Sequence, residues 1–143
     1  MKKALIFASE PNASFWKTQL KEDRELLLDS LVFSTISQGF NAIANEPAEI
    51  IIVQAMIDFG FSEEEIRKMR LHKCECSGLY VAELIAEGYG GKNEKTPILY
   101  TTLTSPDKCP LIIGAVSERT NTHLYYELSG KEITSVVKEI IRR

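Results

Sequence analysis

The spacing of apolar residues changes along this chain, and each spacing predicts a different element. Lys3 to Ser9 (Lys-Ala-Leu-Ile-Phe-Ala-Ser) is a short apolar run closed by Glu10-Pro11-Asn12, which predicts a buried strand followed by a turn. Beyond the turn, Phe15, Leu20, Leu27, Leu28, Leu31 and Val32 recur at three-to-four spacing. They predict a long helix, capped by Ser14 and fading around Ser37-Gln38-Gly39. Asn45-Glu46-Pro47 predicts a second helix start, because proline suits a first turn where its missing N–H costs nothing. Ile50 to Phe59 is apolar on nearly every helical face, so this helix is expected at the centre of the molecule, with Gly60 ending it. Ser62-Glu63-Glu64-Glu65 is a capping box, and Arg67, Lys68 and Arg70 follow where cations suit a helix C-terminus.

Gly78 to Glu87 carries Leu79, Ala82, Ile85 and Ala86 on one side and predicts another helix. Gly88 to Asn93 predicts a flexible loop. Pro97 to Thr104 and Thr122 to Leu128 are β-branched and aromatic and predict strands. Leu111 to Val116 fits either a strand, which would make a three-stranded meander, or a helix beginning near Pro110; a short apolar run does not decide. Glu132 to Ile141 closes the chain as an amphipathic helix with Ile133, Val136, Val137, Ile140 and Ile141 inward. The expected fold is α+β or α/β, one domain over residues 1–143. Roughly four strands, from 3–9 and 97–128, would pack against four to five helices as a single pair of layers.

Composition narrows the function. A chain of 143 residues can bury a real core without a covalent staple. Its net charge of -3 offers no basic excess beyond Arg142 and Arg143, which argues against general nucleic-acid binding. The longest apolar runs are far short of the roughly 18 residues that a membrane span needs. Met1-Lys2-Lys3 followed by Ala4 to Ala8 is too short for a secretion signal. Three cysteines without such a signal predict a cytoplasmic protein with free or metal-bound thiols.

The thiols cluster with an imidazole. His72, Cys74 and Cys76 fall in one short stretch and Cys109 in another. One histidine and three thiolates would complete a tetrahedral zinc site. Cys74 and Cys76 are closer than the usual Cys-x₂₋₄-Cys pair, and on a strand they would share a face roughly 7 Å apart. The alternative is that buried cysteines act as small apolar residues. A reactive thiol needs a neighbouring cation, for which Lys73 and Lys108 are the adjacent candidates.

Ile98 to Leu103, then Lys108-Cys109-Pro110-Leu111-Ile112-Ile113-Gly114-Ala115-Val116, then Thr122 to Tyr126 resembles the zinc nucleobase deaminases, with Val81-Ala82-Glu83 upstream at a comparable distance. The resemblance covers residues 79–128. It implies that Glu83 matches the proton-shuttling glutamate and Cys109 the first turn cysteine of that family, which holds zinc through three ligands. Val81 and Ile112 stand where the other two ligands belong, so the resemblance implies the fold without the complete zinc set.

Other motifs are weaker. Phe59-Gly60-Phe61 ahead of the capping box resembles a small three-helix interaction module of the ubiquitin-binding type, or simply two packed helices. Gly88-Tyr89-Gly90-Gly91-Lys92 follows a helix rather than opening one, so it lacks the helix dipole of a phosphate loop. His72 and His123 support no serine–histidine pairing, and Trp16 reads as a core or boundary aromatic. With no complete catalytic set, the chain reads as a small non-catalytic binding module: a regulator, inhibitor or immunity-type protein holding a protein or small ligand, without membrane association and with homo-oligomers allowed. The alternatives are a deaminase-like nucleotide-binding enzyme or pseudoenzyme, and a Cys/His metal-binding protein that takes zinc.

Overall fold

Five short segments pair side by side, and every pairing is parallel. The computed structural model describes residues 2–54, 60, 81, 85–102, 121–126 and 132–142. Its strands are β1 (Lys3–Phe7), β2 (Asp29–Phe33), β3 (Ile50–Gln54), β4 (Ile98–Thr102) and β5 (Thr122–Tyr126), in the order β2-β1-β3-β4-β5. Ala4 faces Ser30 of β2 on one side and Ile50 of β3 on the other, and Phe7 lies between Phe33 and Val53. A central parallel strand is covered on both faces, so it reads as a continuous apolar run rather than an alternation. Ala4 through Phe7 and Ile50 through Val53 fit that rule and are wholly buried.

Three α-helices are described: α1 (Asn12–Glu22), α2 (Ile36–Asn45) and α3 (Ile133–Arg142). On one face of the sheet, Ala4, Ile6, Ile50, Ile52 and Leu99 pack with Trp16 and Leu20 of α1 and with Val137 and Ile140 of α3. Side chains alternate along a strand, so Leu5 and Phe7 point to the opposite face, where α2 lies. There Phe7 and Phe33 stack with ring centroids 5.2 Å apart. Gly39 of α2 sits against both rings, and a Cβ at that position would overlap them.

Several expectations are corrected. Of the two expected classes α/β is the one found, but the sheet has five strands rather than roughly four, and helices cover both faces rather than forming a single pair of layers. The long helix predicted through Val32 ends at Glu22, and residues 29–33 form an edge strand instead. Ile50 to Gln54 is a strand, not the start of a central helix; three consecutive isoleucines and a valine are stiff at χ1 and pack well on a pleated, two-sided surface. Where the first helix was expected to fade, α2 begins with a full capping box: Thr35 accepts from the Gln38 backbone while the Gln38 side chain bonds back to Thr35. Ser14 does not cap α1, which starts after Pro11 without a side-chain cap. Because β4 and β5 pair directly and in parallel, no antiparallel meander joins them. Residues 61–80 and 103–120, with the expected capping box and the ambiguous segment, lie outside the described residues.

The segment expected to be a flexible loop, 88–93, is largely exposed but is anchored at its end by a short helical turn. Gly91–Asn93 is a single 3₁₀ turn, and Asn93 is fully buried. Its amide donates to the Ile43 carbonyl at 2.6 Å and the Glu46 carbonyl at 2.8 Å. Its side-chain oxygen accepts from Ala48 N at 3.0 Å and Thr96 Oγ1 at 2.9 Å. One side chain thus satisfies four groups where α2 ends and β3 and β4 begin. Gly91 has φ +51, and a Cβ there would meet the Ala44 backbone, so both conformation and space require glycine.

Candidate functional site

The direction of the chain reverses next to β1. It leaves β1 through α1 to reach β2 on one side, then returns through α2 over the other face to β3 on the far side. In open parallel sheets such a reversal leaves a crevice at the carboxyl ends of the two strands involved, and ligands bind there. Here those ends belong to β1 and β3.

The described side chains at this edge are Ser9, Glu10, Ser14 and Gln54. Gln54 continues the row of Ile50 and Ile52 on the α1 side of the sheet and stands opposite Thr101 of β4 in register. Ser9 donates both its backbone N–H and its hydroxyl to Gln54 Oε1, at 3.0 and 3.1 Å. The Ser9 carbonyl in turn accepts the Ala13 N–H of α1 at 3.2 Å. Ser14 Oγ donates to Glu10 Oε1 at 2.7 Å. The β3 end, the β1 end and the first turn of α1 are therefore linked through one glutamine and one serine.

A serine nucleophile needs an adjacent base to take its proton, and the Ser9 hydroxyl faces an amide oxygen, which is not basic. A magnesium ion asks for near-octahedral oxygens, commonly with one or two carboxylates. The described edge offers one carboxylate, Glu10, already engaged by Ser14. Among the described residues no group of three or more histidine, cysteine, aspartate or glutamate side chains is placed to hold a metal.

The predicted site residues Glu83, His72, Cys74, Cys76 and Cys109 all lie outside the described residues. His123 is described, at the amino end of β5 and so at the opposite edge from the crevice, with Nε2 2.8 Å from Asn121 Oδ1. Trp16 is a core residue, whereas its neighbour Phe15 is 44% exposed. Sequence reasoning missed Ser9 and Gln54 because Ile50 to Phe59 was expected to be a helix, which hid the fact that Gln54 ends a central strand.

No family model matches the chain, and no curated protein matches it in sequence. Solved structures do. The BeF3-activated DrrB receiver domain is 17% identical, with a TM-score of 0.63 over 99% of this chain and 97% of that one. A CheY-like response regulator receiver domain from Methylobacillus flagellatus is 10% identical, with a TM-score of 0.63 over 98% of each chain. The phosphorylated cyanobacterial phytochrome response regulator RcpA is 10% identical, with a TM-score of 0.60 over 97% of this chain and 90% of that one. The chain thus has a receiver-like fold. The deaminase resemblance is overturned, because these structural neighbours are receiver domains.

Proposed function

We propose that the chain is a single-domain regulatory module of receiver-like architecture that works by binding a protein partner. The observation that carries this reading is the all-parallel sheet in the order β2-β1-β3-β4-β5, matched over nearly the whole chain by receiver domains. The carboxyl edge is consistent with it: the Ser9 hydroxyl there is bound to an amide oxygen, and the one hydroxyl–carboxylate contact, Ser14 with Glu10, lies exposed on the first turn of α1. A protein partner suits such a module better than a small substrate, and self-association is a further form of the same role. No helix among the described residues is long and apolar enough to cross a membrane.

The test is crosslinking in the native cells, identification of the partner, and reconstitution from purified components. A stoichiometric complex with a measurable Kd is expected. Catalytic turnover of a co-purifying small molecule by the isolated chain, with no protein retained, would overturn the reading.

A further inference from the structure

Two of the structural neighbours carry a phosphoryl group or its fluoride mimic in their names, which raises the question of what this chain's crevice can hold. We propose that Gln54, at the end of β3 in the crevice, accepts no phosphoryl group, and that the Ser9–Gln54 pair is instead a tie fixing the ends of β1 and β3 against α1. This rests on the receiver-like reading and says how such a module would operate without covalent modification.

The chemistry follows from the side chains. A protein carboxylate can attack phosphorus and form an acyl phosphate. At the end of β3, the central strand facing the crevice, stands the amide of Gln54, which has no anionic oxygen to attack with. A bound phosphoryl group would bring a charge of about −1.5 to −2 that needs donors and cations around it. The described edge presents Glu10, a like charge. Meanwhile the Gln54 oxygen already accepts twice from Ser9, and the Ser9 carbonyl holds Ala13. The amide thus occupies the junction where an added group would have to act, and joins the strands there with neutral hydrogen bonds that do not titrate.

The experiment has two readouts on the full chain. Incubation with acetyl phosphate and magnesium, followed by intact mass measurement, should leave the mass unchanged; a phosphoryl adduct on the wild-type chain overturns the proposal while leaving the regulatory reading standing. Amide hydrogen exchange at Ser9 should be slowed in the wild type and in Gln54→Glu, which keeps an acceptor. In Gln54→Ala it should be faster by about fivefold, the factor expected for one ordinary hydrogen bond. Equal exchange in wild type and Gln54→Ala also sinks it. A failed partner reconstitution, by contrast, counts against the regulatory reading and leaves both readouts untouched.

Discussion

The two edges of this sheet are tied by the same kind of group, a side-chain amide, placed in opposite surroundings. At the amino edge Asn93 is fully buried and bonds to the Ile43 and Glu46 carbonyls, the Ala48 N–H and the Thr96 hydroxyl. At the carboxyl edge Gln54 is half-buried and its oxygen serves the exposed Ser9. Losing the first amide strands backbone groups away from water, whereas losing the second lets water step in. Of the two amide ties, the buried one is therefore expected to contribute more to stability than the accessible one.

Variants should break this comparison in a definite order. Asn93→Ala should cost the most, about 3 kcal/mol, because several buried polar groups lose their partner at once; urea unfolding checks it. Gly39→Ala should follow at about 2 kcal/mol, since the added methyl must displace the Phe7 and Phe33 rings from a packed core, and the same titration reads it. Gln54→Ala should lie within about 0.5 kcal/mol of wild type, as for most substitutions at accessible positions. A loss as large as that of Asn93→Ala would mean that the two edges do not differ as described.

The smallest effect is electrostatic and lies between the edges' supporting helices. Lys138 of α3 is 2.9 Å from Asp23, at the end of α1, and 3.7 Å from Glu25; Arg142 is 2.7 Å from Glu25. The hydrogen bond from Lys138 holds the Asp23 carboxyl below its ordinary value of 3.8, against the opposing effect of burial. A carboxyl lowered in the folded state stabilises the protein above its unfolded value and loses that contribution as pH falls through the folded value. The same bond raises Lys138 above 10.5, so its contribution is intact below that value and fades only as pH rises beyond it. Thermal melts of Lys138→Met should therefore show a small loss of stability in the neutral range and a weaker pH dependence below pH 3.8 than the wild type. An unchanged acid limb would remove this clasp from the account.

Much of the fold was legible in the sequence where pattern and length agreed. β1, β4, β5 and α3 follow their predicted segments, and Glu10-Pro11-Asn12 marks the turn into α1. The failures have physical causes. Leu27, Leu28, Leu31 and Val32 keep a helical spacing by coincidence, yet Leu27 adopts φ +47 and the chain then extends. Ile50 to Val53 carried a usable signal in its β-branched side chains, but the long apolar run around it favoured a helix. The Thr35-x-x-Gln38 capping box was also present and marks the start of α2. Nothing local announces the burial of Asn93, because apart from Thr96 its partners lie 45 to 50 residues away. The crevice was invisible for the same reason, because Ser9 and Gln54 meet only once the strands have paired.

The most direct test of the central claim is the amide NMR spectrum of the wild-type chain, at constant magnesium, before and after beryllofluoride, a phosphoryl mimic. The account predicts unmoved resonances for Ser9, Gln54 and the first turn of α1. Saturable shifts at those three places would contradict it.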